Sequence, residues 1–590
     1  MLACSTSDTR LPRTTTAVRL ILVSLVLAAC GAGDNGGNGK APSVLTTGTP
    51  GAEQAVGERL FLETRFAQAF KVFLDNNGNV NDPSAGDPVV DTVETTIPGS
   101  PVPGSISPGP FSGLSMNCRA CHMVEDVPTA AGGGMRTYAD FARRSPIPAR
   151  ADGKTHAPRN SPALVNSTLD RTGGVLFHFD AEFNSMEDLV AATFTGRNYG
   201  WLPGERQMAI AHIARVVRGD NGSFNLADPS SGLSYRILFT GTNAAIPDDL
   251  RLPPQFRAFV ASGTDQEIFN AVVKVVAAYV NGLLFSQTED SGALIRSPFD
   301  VFMEVNGLPQ QPNPNETELD YSRRLRTLIN APGFSPQFVT SNPNRTDGQF
   351  QFHPSQNFEF GAAELAGLKI FLAEPLALPA SPGELTAGRI GNCVSCHAAP
   401  NFTDFKLHNT GTTQQEFDDV TVGAGHAPGS FMALSIPNLA TRTANDLPAT
   451  EQHPTASDRF RSIPSAGTTL TDLGVWNVFA NPDMPGPQAK IRTILCDDQV
   501  PCPIDAVLLD RAIARFKTPG LRDLSHSAPY MHTGQFDTLD DILEFYRGVS
   551  AQARAGSLRN GAAQLQGIAL TAGDITPLVA FLKSLNEDYQ

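Results

Sequence analysis

The chain has 590 residues, with 44 lysines and arginines against 59 aspartates and glutamates, giving a formal net charge of −15. Such an acidic balance argues against nucleic acid as a partner. The 52 glycines and 45 prolines point to long irregular connections, and the length suits two or more domains.

At the N-terminus, Arg10, Arg13 and Arg19 precede an apolar run from Leu20 to Leu27, too short to span a bilayer as a mature helix. Leu27-Ala-Ala-Cys30-Gly31 follows, and the whole resembles a bacterial lipoprotein signal, residues 1–29, whose cleavage leaves Cys30 to carry lipid. The alternative is an ordinary secretory signal with an incidental cysteine; both predict export. No acidic residue directly follows Cys30, so the expectation is a periplasmic protein tethered to the outer membrane. Residues 30–55, rich in Gly, Asn, Pro, Thr and Ser, read as a flexible tether.

Next comes Cys118-Arg-Ala-Cys121-His122, and far downstream Cys393-Val-Ser-Cys396-His397. Each is Cys-x-x-Cys-His, the attachment sequence of a c-type haem. Two thiols three positions apart can form thioethers with the two vinyl groups of one porphyrin, and the adjacent imidazole reaches the iron. A zinc site shared by two Cys-x-x-Cys pairs, or two redox dithiols, would leave the histidine after each pair unexplained. Two covalent haem c groups are therefore expected.

Between the motifs, Thr264-Asp-Gln-Glu267 has the form of a capping box, followed by Ile268, Val272, Val275, Tyr279 and Leu283 on one helical face. Cys496 and Cys502 are left over once the other thiols are assigned, and an oxidising compartment favours a disulfide between them. Thr538 and Asp541 open a helix with Leu539, Ile542, Leu543 and Tyr546 at helical spacing. Thr571-Ala-Gly-Asp574 opens a last one carrying Ile575, Leu578, Val579, Leu582 and Leu585. Stretches 73–112, 219–262, 306–358 and 443–505 read as loop-rich. The fold class is mainly α: two c-type cytochrome haem domains with long loop-rich insertions, at 56–358 and 359–590.

On these residues the chain resembles the bacterial dihaem cytochrome c peroxidase family, including its MauG-like members. Gly57-Glu-Arg-Leu-Phe-Leu-Glu-Thr-Arg-Phe66 is similar to the family's opening helix, and Arg159-Asn-Ser-Pro-Ala-Leu-Val-Asn166 to the segment after the first haem. The helix from Glu267 to Ser297-Pro-Phe-Asp300 is similar to the inter-haem connection. Cys393 to Gly411 is similar to the second haem region. The most specific block is Phe516-Lys-Thr-Pro-Gly-Leu-Arg-Asp with Ala-Pro-Tyr-Met-His532-Thr-Gly-Gln-Phe. Together these segments cover about half the chain.

The resemblance implies a peroxide-reactive or switchable haem on His122 and a higher-potential haem on His397. It implies hydrogen peroxide as oxidant and a small electron-donor cytochrome c or cupredoxin, with homodimers common in the family. A MauG-like member would instead spend its oxidising equivalents on a protein or organic partner. A third reading, from a different class, is a non-catalytic electron-transfer lipoprotein. An inter-domain Ca²⁺ is also implied, with ligands falling on the Asn166 side chain and the Ser527 and Pro529 carbonyls. Peroxidase members carry a methionine fourteen residues after the histidine matched by His532; that count lands on Tyr546, and MauG-like members have tyrosine there. Tyr546 is thus the expected sixth ligand of the C-terminal iron, with Met531 the alternative. His156 is the candidate distal ligand of the N-terminal iron. Two departures stand out. The family's inter-haem Trp falls on Phe179, with Trp201 a candidate substitute, and its Gln and acid–base Glu fall on Leu189 and Tyr199. Glu187 and Glu205 lie nearby, and Glu205 is the preferred acid–base stand-in.

Overall fold

The computed structural model describes residues 51–82, 92–95, 105–108, 117–118, 121–122, 147–148, 150–154, 156–169, 176–223, 232–285, 293–340, 358–420, 429–497, 499–524 and 527–587, the two segments 92–95 and 105–108 as backbone only. The signal, Cys30 and most of the tether lie outside the described residues. The described chain is mainly α, with two short two-stranded antiparallel sheets, Thr92–Thr95 with Ser105–Pro108 and Leu407–His408 with Phe516–Lys517. Among the described residues no helix is long and apolar enough to cross a membrane.

A first core, drawn from residues 56–280, forms where helices Ala52–Phe61, Met186–Phe194 and Arg206–Gly219 pack on helix Asp265–Asn281. The expected capping box starts that long helix: Thr264 Oγ1 accepts from the Glu267 N–H, and the Glu267 carboxylate accepts from the Thr264 N–H at 2.7 Å. Ile268, Val272 and Val275 are buried and Tyr279 half-buried; Leu283 lies past the helix end. A second core takes side chains from Phe299 to Leu585. Its heart is a cluster of Phe299, Phe371, Phe402 and Phe581 with ring centroids 5.1–5.9 Å apart. The helices Pro298–Val305 and Glu318–Ile329, on the N-terminal side of the 358/359 boundary, bury their apolar faces in this second core.

The two cores are closed by the same device. In helix Ala52–Phe61 a Cβ on Gly57 would lie 2.0 Å from the Val275 carbonyl oxygen; in helix Ala362–Phe371 a Cβ on Gly367 would lie 1.9 Å from the Pro577 carbonyl oxygen. Only glycine permits such close helix crossing. The surrounding sequences, Gly57-Glu-Arg-Leu-Phe-Leu and Gly367-Leu-Lys-Ile-Phe-Leu, repeat the pattern.

All four stretches read as loop-rich hold some regular structure, most of it in two of them. Within 306–358, Thr317 caps the twelve-residue helix Glu318–Ile329, which buries Tyr321, Leu325 and Ile329. Within 443–505, Val475–Phe479 and Gln488–Cys496 are helical and join a third core around the fully buried Trp476. Here local propensity is weak, and burial against distant segments supplies the order. The Cys496–Cys502 disulfide is formed, with Cα atoms 5.2 Å apart.

Candidate haem-attachment sites

In the first motif the chain turns so that the Cys121 and His122 N–H groups both donate to the Cys118 carbonyl, at 3.1 and 2.9 Å. Both thiols are free. His122 Nδ1 lies 2.9 Å from the Pro162 carbonyl oxygen. A carbonyl can only accept, so Nδ1 carries the proton and Nε2 keeps its lone pair. Burial pulls the His122 pKa down to about 4, so the ring is neutral, the form that binds a metal. Burial also pushes the Cys118 and Cys121 thiols up to about 11 and 12.

The second motif repeats this construction. Cys396 and His397 donate to the Cys393 carbonyl at 3.1 and 2.7 Å, and His397 Nδ1 lies 2.9 Å from the Phe402 carbonyl oxygen. Its thiols are free, and burial lowers the His397 pKa. A cavity of about 360 Å³ opens here, walled by Cys396, His397, Met531, Leu543, Tyr546 and Ile568 among others. An apolar slot with two free thiols and an imidazole of fixed tautomer at its edge suits a covalently bound haem. His408 adjoins Cys396 and bonds Asp404 at 2.6 Å; although burial opposes its charge, Asp404 and Cys396 raise its pKa to about 10.

The candidate sixth ligands Tyr546, on helix Leu539–Arg554, and Met531, in a left-handed turn with φ 67°, both line this cavity. Burial pushes the Tyr546 hydroxyl above its ordinary range. Asn166, Ser527 and Pro529 line the same cavity. Asn166 Oδ1 accepts from the Phe285 N–H at 2.9 Å and the Pro529 carbonyl accepts from the Asn160 side chain, so each oxygen has one lone pair left for a cation.

Around the first motif the arrangement differs from the sequence reading. The Glu205 carboxylate accepts from the Leu202 N–H at 2.7 Å, tying off the turn before helix Arg206–Gly219, and Glu187 is exposed on the first turn of helix Met186–Phe194. Among the described residues two side chains reach the motif: the buried Tyr199 hydroxyl lies 3.4 Å from Cys118 Sγ, and Ser161 bonds Cys121. His156 is half-buried, three residues before Arg159. Phe179 lines the cavity with its ring centroid 6.4 Å from that of His532, which stacks on Phe516 at 3.6 Å. Trp201 instead sits in the first core against His212, 5.8 Å between centroids.

A charged network joins the segment after the first motif to the 443–505 insertion. Arg159 pairs with Asp180 at 2.8 Å and with Asp472 at 2.5 Å; Arg461 pairs with Asp180 and Glu182; Glu182 also bonds His178 Nδ1 at 3.0 Å. Asn160 adds two links to the 529–532 turn, its N–H donating to the His532 carbonyl at 2.8 Å and its side chain to Pro529. Sequence reasoning missed Arg461 and Asp472 because their segment carries no periodic signal.

No family model matches the chain. It is 28% identical over 204 residues to cytochrome-c peroxidase IdrP2 of Pseudomonas sp. (strain SCT), covering 35% of this chain and 38% of that protein. The IdrP2 of Denitromonas iodatirespirans matches at the same identity over 34% and 38%. The matched segment thus spans less than half the length of these relatives. Among solved structures, a MauG-like protein associated with microbial copper homeostasis aligns at 14% identity and TM-score 0.38, covering 94% of this chain and 96% of that one. The diheme peroxidase BthA from Burkholderia thailandensis aligns at 15% and 0.36, covering 80% and 81%. TM-scores this low carry no conclusion about the fold.

Proposed function

We propose that this relative of the dihaem cytochrome c peroxidases is itself a c-type dihaem oxidoreductase, reducing hydrogen peroxide with electrons from a small periplasmic cytochrome c or cupredoxin. The observation that carries the proposal is the pair of Cys-x-x-Cys-His turns, each with free thiols and an imidazole whose Nδ1 proton is committed to a carbonyl. Cys118, Cys121 and His122 would hold one haem, and Cys393, Cys396 and His397 the other, in domains assigned to 56–358 and 359–590. When bound, the haems supply iron redox chemistry and storage of electrons. The protein's part is orientation and exclusion of water: the Pro162 and Phe402 carbonyls fix the two rings, and apolar walls dry the second slot.

We assign Tyr546 as sixth ligand at the second site, with Met531 the alternative, and His156 to the distal side of the first. To move a proton, Glu205 would have to release the Leu202 N–H. A Ca²⁺ held by Asn166, Ser527 and Pro529 belongs to the same proposal, as do lipidation of Cys30 and a periplasmic, outer-membrane-tethered location. A second reading, MauG-like oxidation of a protein or organic partner, is favoured by Tyr546, since a phenolate ligand stabilises oxidised iron whereas methionine favours the reduced form.

The test is optical and EPR spectroscopy of the holoprotein, as isolated, half-reduced and mixed with stoichiometric hydrogen peroxide, beside Tyr546→Phe. We expect one high-spin haem that reacts with peroxide and one low-spin haem whose spectrum changes in Tyr546→Phe. Turnover of peroxide with a reduced carrier supports the peroxidase; a long-lived oxidised state without a carrier supports the second reading. Two low-spin haems inert to peroxide in every redox state would sink both.

A further inference from the structure

Arg197 opens the short 3₁₀ turn Arg197–Tyr199, whose other end places the Tyr199 hydroxyl against Cys118 Sγ. It is half-buried, yet among the described residues its guanidinium makes no hydrogen bond or ion pair. Its charged neighbours are Arg461, Glu182, Arg159 and Asp458. Each carboxylate among them is already taken: Glu182 by Arg461 and His178, and Asp458 by Lys154 and the Ala449 N–H. Asp180 and Asp472, which partner Arg159 and Arg461, are likewise engaged. Burial, with repulsion from Arg461 and Arg159, pulls the Arg197 pKa down to about 10. A guanidinium partly withdrawn from water, with no anion among the described residues, gains from any carboxylate that pairs it.

We infer that Arg197 is a carboxylate-binding group beside the first haem site, and that the carboxylate it holds is a propionate of the haem carried by Cys118 and Cys121. The inference rests on the dihaem reading above. Three cations of this neighbourhood, Arg159, Arg461 and Lys154, have carboxylate partners within the chain, so the fourth is left for an anion that none of the described residues supplies. A haem brings two carboxylates on a rigid frame, and the turn that carries Arg197 touches its attachment sulfur. A planar guanidinium binds a carboxylate in two-pronged fashion, which lysine does not reproduce.

The experiment compares wild type, Arg197→Gln and Arg197→Lys as purified holoproteins, counting haem per chain and recording the haem propionate bending bands by resonance Raman and the midpoint potential of each haem. Arg197→Gln breaks no hydrogen bond or ion pair among the described residues, so it should keep two haems per chain. We expect it to shift a propionate bending band and to lower the midpoint potential of the first haem alone, because a positive charge near the iron favours the reduced state. Arg197→Lys should restore most of the potential and only part of the band shift. Wild type without two covalent haems would overturn the dihaem reading and this inference together. Two haems with unshifted bands and potentials in Arg197→Gln would overturn the inference alone and leave the dihaem reading standing.

Discussion

His122 is held by the carbonyl of Pro162, 40 residues away, whereas His397 is held by that of Phe402, only 5 residues away. The second motif therefore sets its own histidine through a local turn, backed by the phenylalanine cluster in which Phe402 itself is buried. The first borrows its orienting carbonyl from the 159–166 segment, and that segment is clamped through Arg159 to Asp472 and through Asn160 to the 529–532 turn. One histidine is positioned by its own neighbourhood; the other is positioned by whatever the rest of the molecule does to a distant strap.

The strongest way to break this comparison is to remove each pair of proposed attachment cysteines. Cys393→Ala with Cys396→Ala, and Cys118→Ala with Cys121→Ala, should each cut haem from two to one per chain in a pyridine haemochrome assay. The C-terminal pair should also lower the melting temperature more, because it empties a cavity of about 360 Å³ within apolar walls. Equal stability losses would mean that the two motifs are supported alike.

A smaller effect should come from the arginines buried in each half. Arg65 binds Glu63 and, at 3.0 Å, Asp220; Arg522 binds Asp300 at 2.8 Å and donates to the Pro400 carbonyl at 2.9 Å. All these side chains are buried, so truncating either arginine leaves an uncompensated carboxylate. Arg65→Ala and Arg522→Ala should each cost about 3–5 kcal/mol in denaturant unfolding. Only Arg522→Ala should alter the absorption of the second haem, since Pro400 lies three residues after His397. A matching spectral change in Arg65→Ala would contradict that division.

How much of this was legible follows the same contrast between local and distant. The Thr264–Glu267 capping box, the Thr571–Asp574 box before helix Ile575–Lys583 and the helix opened by Thr538 are short-range patterns, and each forms where the sequence places it. The helix Glu318–Ile329 had a signal, Tyr321, Leu325 and Ile329 four apart, but it is flanked by Pro- and Asn-rich turns that mask it. The paired Gly57 and Gly367 motifs were also visible as a repeat and are explained only by the helix crossings. Arg461 with Asp180, and Arg159 with Asp472, are separated by 281 and 313 residues, and no local rule joins them. Tyr199 was marked only as the occupant of a position expected to hold glutamate, and its approach to Cys118 depends on tertiary packing.

The strap that serves His122 carries a titratable weak point of its own. Burial by itself would raise the Asp472 pKa, but Arg159 outweighs it and holds the group at about 2, below the ordinary value of about 3.9. A carboxylate whose pKa is lower folded than unfolded binds fewer protons when folded. Its contribution is thus fully present above about pH 3.9 and fades as pH falls toward 2. Asp472→Asn should therefore reduce stability near neutral pH while flattening the acid limb between about pH 4 and 2. Because Arg159 leads to Asn160 and on to Pro162, acid should disturb the first haem before the second, and the variant should show that disturbance already at neutral pH. Chemical denaturation across pH, with the two haem signals followed separately, reads both effects. An acid limb as steep in Asp472→Asn as in wild type, with both haems responding together, would show that the strap does not set the difference between the two histidines.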